Sequence, residues 1–308
     1  MIIILEGPDG SGKTTLAKYL QSRHDFQYVH TGPPTDNDLL EEYGRTLYDA
    51  CRSSRNVVID RLHVGERIYG PQLRGQDRLG RDGEILIHRL ISAYGVRLVF
   101  CLPPYEVALS NWKSRFAEGM ELIEKEAIYQ KVYAAYRATM NDAFYNQSTW
   151  FDYTKMTLDL ATDIFLSNLA TPPGLPDGVI GSAMPIFLIV GEQANQDYLD
   201  LPFFSKTGSS KYLNECLVEA GYQERSIALV NAMDLNGSRM PLDEICSSIG
   251  ELKVIALGTH AHNALDSFRV KHVTVPHPSY WRRFHAGSRE VYVKQLREIR
   301  IGTLHNPR

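Results

Sequence analysis

Apolar residues in this chain fall into short continuous runs, separated by stretches with a helical period. Ile2–Leu5 is the first run, the length of a buried strand, and Lys13–Leu20 after it reads as a helix. Phe26–His30 is a second strand, closed by the turn Thr31–Pro34. From about Asp36 to Ser54, Leu39, Leu40, Tyr43, Leu47 and Ala50 share one helical face. Strands are expected at Asn56–Asp60, Val96–Leu102 and Ser148–Tyr153. Helices are expected over Glu84–Tyr94, Glu106–Glu118, Glu121–Asp142 and Leu158–Leu169. Residues 61–83 mix glycine with Arg61, Arg67, Arg74, Arg78 and Arg81 and read as a loop. Strand–helix alternation predicts an α/β fold, a parallel sheet with helices on both faces. Ligands of such sheets bind at the carboxyl ends of the strands.

Thr171-Pro172-Pro173-Gly174-Leu175-Pro176-Asp177-Gly178 reads as a domain boundary. Expected domains are 1–170 and 185–308, joined by a linker over 171–184. The second half has strands at Pro185–Val190, Ile227–Val230, Leu252–Leu257 and His272–Val275. Its helices are expected over Ser209–Ala220, Ala261–Phe268 and Ser288–Ile301, giving a second three-layer α/β domain.

Composition narrows the function classes. A net charge of −3 over 308 residues gives no global basic field, although local patches remain open. Four widely spaced cysteines without a C-x-x-C pair argue against a zinc site and a secreted disulfide framework. Met1 leads straight into a strand, so no signal peptide is expected. No apolar run is long enough for a membrane span, and the expected location is the cytoplasm, a host's if the chain is viral.

The chemistry concentrates between the first strand and the first helix. Gly7-Pro8-Asp9-Gly10-Ser11-Gly12-Lys13-Thr14-Thr15 contains G-x-x-x-x-G-K-[ST], a phosphate-binding loop. Its glycines let backbone N–H groups approach a polyphosphate, and the helix N-terminus adds positive potential. Lys13 would reach the β- and γ-phosphates, and Thr14 would ligate Mg²⁺. The expected ligands are ATP and Mg²⁺.

Leu5–Thr15 resembles the opening of the thymidylate kinase family. Asp60-Arg61 resembles that family's Asp-Arg-Tyr element, with Leu62 in the tyrosine's place, and Leu102–Ala108 is similar to its turn before the lid. The resemblance covers about residues 1–170. It implies that Asp9 contacts the acceptor sugar, that Arg61 holds the acceptor phosphate, and that Asp60 helps hold hydrated Mg²⁺. Arg67 and Arg74 join the acceptor-binding candidates as guanidinium forks for phosphate. Lys113 and Arg115 are the charge-neutralising candidates of the lid region, with Arg115 placed beside Lys13 and Arg61 in catalysis.

The strand ends of the second half resemble the uracil-DNA glycosylase superfamily. Gly191-Glu192-Gln193-Ala194 is similar to its first motif, and Phe203 falls where an aromatic stacks on the base. Asn231 falls where an asparagine reads the pyrimidine edge, and His277-Pro278-Ser279 matches the His-Pro-Ser motif. Asp197 is a candidate water-activating acid, but Gln193-Ala194-Asn195 departs from the expected pattern, which favours base binding over glycosylase activity. Trp281, Arg282, Arg283 and His285 form a basic-aromatic cluster suited to a DNA backbone.

The two resemblances together imply a viral branch of the thymidylate kinase family that phosphorylates the hydroxymethyl group of 5-hydroxymethyluracil in DNA. That expectation makes a pyrimidine within DNA the acceptor, in a step of thymidine hypermodification. The alternatives are a kinase of free thymidylate with an accessory domain, and a base-excision glycosylase fused to a kinase.

Overall fold

A computed structural model of the chain describes residues 1–32, 38–118, 123–140, 142, 145, 148–167, 175–193, 201–234 and 236–302. The chain divides into two compact units, Met1–Glu84 with Gly95–Thr171, and Ile85–Tyr94 with Pro172–Arg308. Residues 85–94 thus group with the second half, where the sequence reading ran one domain unbroken over 1–170. Buried Arg89 supplies the reason. Its guanidinium donates to both Glu224 carboxylate oxygens at 2.7 and 2.8 Å, and to Asn214 at 2.8 Å. Among the described residues no helix is long and apolar enough to cross a membrane.

The first unit contains β1 (Ile2–Glu6), α1 (Lys13–His24), β2 (Gln27–His30), α2 (Leu39–Arg52), β3 (Val57–Asp60) and α3 (His63–Arg74). Then follow α4 (Gly80–Ala93), which continues into the second unit, β4 (Arg97–Cys101), α5 (Tyr105–Ala117), α6 (Glu126–Met140), β5 (Thr149–Phe151) and α7 (Leu158–Ser167). Its sheet is parallel throughout, in the order β2-β3-β1-β4-β5. Strand side chains alternate, so Ile3 and Leu5 pack with Leu16 and Leu20 of α1 and Phe165 of α7. Ile2, Ile4 and Glu6 point to the opposite face and are buried there too. Burial on both faces is why β1 reads as a continuous apolar run.

Residues 61–83 are not a loop. Most of them form α3 and the first turn of α4, and Pro71 is accommodated inside α3. Gly70 is there for packing, since a Cβ would meet the Gln76 carbonyl at 2.7 Å. The five arginines are held by carboxylates: Arg61 by Asp9, Arg67 by Glu84 and Asp77, Arg74 and Arg78 by Glu66, and Arg81 by Glu84. Glycine and arginine content reads as a loop because composition does not show that Glu66 and Glu84 neutralise the charge.

The second unit holds β6 (Ile180–Gly181), β7 (Phe187–Gln193), α8 (Gly208–Glu219), β8 (Ile227–Met233) and α9 (Leu242–Ile249). After these come β9 (Lys253–Leu257), α10 (Gly258–Ser267), β10 (His272–Val275), α11 (Pro278–Phe284) and α12 (Arg289–Ile301). The sheet order is β10-β9-β7-β8-β6, parallel except for β6 against β8. Leu188, Val190, Val230 and Ala256 face α9 and α10 across one core. The sequence reading missed β6, which is two residues long, and α9, whose apolar Leu242, Ile245 and Ile249 repeat over only two turns.

Candidate active site

The phosphate-binding loop is the turn from β1 into α1. Gly7 has φ 152°, and a Cβ there would stand 2.2 Å from the Cys101 carbonyl oxygen. Gly12 has φ 87°, and its Cβ would stand 2.9 Å from the Tyr153 ring. Neither position tolerates a side chain, so the glycine pattern follows from close approach as well as from dihedral freedom.

Lys13 opens α1 and is buried. Its ammonium donates to the carbonyls of Gly7 at 2.8 Å and Pro8 at 2.7 Å. Burial and the Arg61 charge pull its pKa down to about 8, with Asp9 and Asp60 opposing. Asp60 ends β3, and one of its oxygens, Oδ2, accepts from Thr14 Oγ1 at 2.8 Å and Tyr28 OH at 3.0 Å. The other, Oδ1, is buried without a hydrogen-bond partner. A buried carboxylate oxygen lacking a donor is costly, and a cation bound there removes that cost. The Thr14 hydroxyl and Asp60 carboxylate form an oxygen-only set of the kind that suits Mg²⁺.

Arg61 follows directly. Its φ of 72° is left-handed, a strained conformation for a residue with a side chain. It is held by a bond from its own N–H to the Leu5 carbonyl at 2.9 Å, and by Thr31 Oγ1 donating to its carbonyl at 2.7 Å. The guanidinium pairs with Asp9 and lies 5.1 Å from the Tyr69 ring centre. Tyr69 OH donates to Asp9 Oδ2 at 3.0 Å, and Tyr129 OH donates to the Asp9 carbonyl at 2.8 Å. Burial alone would raise the Asp9 pKa, but Arg61 and Lys13 hold it below the usual carboxylate range.

These groups line one cavity of about 460 Å³, walled by residues 9–15, Asp60, Arg61, Glu66, Tyr69, Arg74, Asn111 and Arg115. Arg74 and Arg115 therefore reach the cleft. Arg67 does not: it lines a separate pocket with Glu84 and Tyr145. Lys113 is also elsewhere, paired at 2.9 Å with Glu126.

Sequence reasoning passed over Glu6, although an acid closing an apolar strand was the signal that picked out Asp60. Glu6 is fully buried and accepts from the N–H groups of Leu62 at 2.9 Å and Val64 at 3.2 Å. Burial pushes its pKa up to about 7, with those N–H groups and the Arg61 and Lys13 charges opposing. A carboxyl with a raised folded pKa binds its proton more tightly folded than unfolded. Stability therefore falls as pH rises from about 4.5 to about 7 and levels off above. Glu6→Gln keeps an acceptor for both N–H groups and removes this slope. Its stability relative to wild type is expected to rise by about 3 kcal/mol between pH 4.5 and pH 8, read from urea unfolding at both.

In the second unit, Gly191 and Asn231 lie toward the carboxyl ends of β7 and β8, with Phe203 against them. Gly191 pairs with Asn231 in register, and a Cβ on Gly191 would strike the Phe203 ring at 2.6 Å and Asn231 Oδ1 at 2.7 Å. Asn231 is 5% exposed and its Nδ2 has no hydrogen-bond partner. Phe203 has a left-handed φ of 53°, so two of the four non-glycine residues with positive φ among the described residues are site candidates. His277 caps α11, with Nδ1 2.7 Å from Ser279 Oγ. Burial lowers its pKa, and Glu192, itself 3.4 Å from His260, opposes. Asp197 lies outside the described residues. Trp281 is not a surface group, because it is buried and donates to the Ser288 carbonyl at 3.2 Å. The exposed aromatics beside Arg282 and Arg283 are Tyr280 and Phe284, 5.1 Å apart.

No family model matches the sequence, and no curated protein matches it. Among solved structures, the chain is similar to YorR of Bacillus subtilis in complex with phosphorylated GDP. Identity is 24% and the TM-score 0.44, over 55% of this chain and 96% of that one. It is also similar to deoxyadenosine kinase from M. mycoides, solved with products dCMP and a flexible dCDP. There identity is 15% and the TM-score 0.38, over 55% of this chain and 98% of that one.

Proposed function

We propose that this chain transfers the γ-phosphate of ATP to the hydroxymethyl group of 5-hydroxymethyluracil in DNA. The carrying observation is that Lys13, Thr14, Asp60 and Arg61 line one cavity over the phosphate-binding loop. Lys13 would reach the β- and γ-phosphates of a bound ATP, and the loop N–H groups would hold their oxygens. Thr14 and Asp60 would hold Mg²⁺, which neutralises charge on the phosphates. The acceptor oxygen attacks γ-phosphorus, the bond to the β-bridging oxygen breaks, ADP leaves, and the hydroxyl proton passes to solvent. Arg61 and Arg115 spread the transition-state charge, while Asp9, Arg61 and Arg74 hold the acceptor.

The second unit supports a DNA base as acceptor. An unpartnered buried amide at Asn231 beside Phe203 suits a pyrimidine edge and face. Glu192, which interacts electrostatically with His277, and Ser279, bonded to His277, are the further base-binding candidates, and exposed Arg282 and Arg283 suit the DNA backbone. Two checks follow. Asn231→Ala is expected to lower kcat/KM for hydroxymethyluracil DNA by about tenfold or more while leaving the KM for ATP unchanged. In the Arg282→Ala/Arg283→Ala variant, the slope of log K for DNA against log salt is expected to shrink by about 2. Unchanged values in both variants contradict the role given to the second unit.

One observation favours a second reading. Arg61, Arg74 and Arg115 share the cavity of the phosphate loop, and such a cluster also suits the phosphate of free thymidylate.

A further inference from the structure

Apart from both clusters, the second unit gathers three metal-binding side chains where α10 meets the edge strand β10. His262 and Asp266 stand one turn apart on α10, and His272 opens β10. One ligand atom from each lies within 4.8 Å of the others. His262 Nδ1 is 2.7 Å from His272 Nε2, and His262 Nε2 is 3.4 Å from Asp266 Oδ2. Thr274 Oγ1 is 3.3 Å from His262 Nδ1.

His272 carries the argument furthest. It is buried, and its Nδ1 is 2.8 Å from the Val270 carbonyl. A carbonyl only accepts, so Nδ1 carries a proton and Nε2 faces His262 at 2.7 Å and Asp266 at 4.0 Å. Metal-ligating histidines are oriented in this way, by a backbone carbonyl on the far ring nitrogen.

We propose that His262, Asp266 and His272 form a site for a divalent transition metal of the zinc class, which pins α10 to β10. Two imidazoles and a carboxylate are a zinc-type donor set, whereas Mg²⁺ prefers oxygen-only sites. The fourth position falls to water or to the Thr274 hydroxyl. Four-coordinate binding with N–metal distances of about 2.1 Å requires the two ring nitrogens, 2.7 Å apart, to part by roughly 0.7 Å. His262, more exposed than His272, is the side chain that shifts. The cysteine spacing carried no sign of this site, because its ligands are histidine and aspartate.

Titration of the full-length chain with Co²⁺, read by visible d–d absorption, tests the assignment. The expected result is one Co²⁺ per chain, displaced by Zn²⁺, and a rise in Tm with Zn²⁺. In Asp266→Asn, at an exposed position, and in His262→Ala, Co²⁺ affinity is expected to fall about tenfold or more and the Tm rise to disappear. Stoichiometric binding with unchanged affinity in both variants places the metal elsewhere among the ten histidines and overturns the proposal. So does the absence of a one-to-one complex.

Discussion

Lys13→Ala is expected to lower kcat for phosphoryl transfer by about 10²–10³-fold or more, whichever acceptor is offered. Removing one preorganised group aimed at developing charge costs on that order, and the Lys13 ammonium is fixed on the loop by the Gly7 and Pro8 carbonyls. The pH dependence carries a separate sign. Below a pKa of about 8 Lys13 is charged and attracts a polyphosphate; above it, the attraction is lost. ATP affinity is therefore expected to weaken as pH rises through about 8, and ATP binding at that pH to draw in a proton. Calorimetry in buffers of different ionisation enthalpy reads the proton directly. A pH-independent affinity from pH 7 to 9 would count against a functional Lys13.

Arg61 has the second large effect. In Arg61→Ala the acceptor loses its clamp and Asp9, which is 7% exposed, loses its counter-charge. The expected outcome is a fall of about 10²–10³-fold in kcat/KM for the acceptor, with the KM for ATP little changed. Stability falls as well, by about 3 kcal/mol, because the buried Asp9 carboxylate loses its ion pair and keeps only the Tyr69 hydrogen bond and the Lys13 charge. Arg61→Lys restores part of the rate, since it supplies a point charge without the guanidinium fork. Arg61→Gly is expected to lose the same activity but less stability than Arg61→Ala, because glycine accepts the φ of 72° without strain. Steady-state kinetics with urea unfolding of the three variants separates clamp from backbone. Equal stability of the alanine and glycine variants would remove the argument from strain.

The parts of this molecule that were legible in the sequence are those where one local rule decides. A four-residue apolar run, a glycine loop and a helix fix where β1 and α1 lie, and Asp60 stands out as an acid closing another such run. The stretch 61–83 reads as a loop from its composition because its fold depends on which carboxylates its arginines pair with, and composition does not show that pairing. Arg67 and Arg81 meet Glu84, Arg74 meets Glu66, and the helix α3 forms around those pairs. Trp281 was read as a surface group for a similar reason: its burial depends on Tyr292, on the next helix. Tyr69 and Tyr129 bind Asp9 from α3 and α6, and no spacing rule reaches across such separations. Gly191, Phe203 and Asn231 were singled out only through resemblance; the register of β7 on β8 pairs Gly191 with Asn231, and the Phe203 ring packs against Gly191.

The central claim is that the acceptor is a base in DNA. The most direct measurement mixes the protein with γ-labelled ATP, Mg²⁺ and, in turn, free thymidylate, plain DNA and DNA carrying 5-hydroxymethyluracil. Label is expected in the modified DNA that survives nuclease digestion as a base-linked phosphate, with none in plain DNA. Label in thymidine diphosphate alone would contradict it.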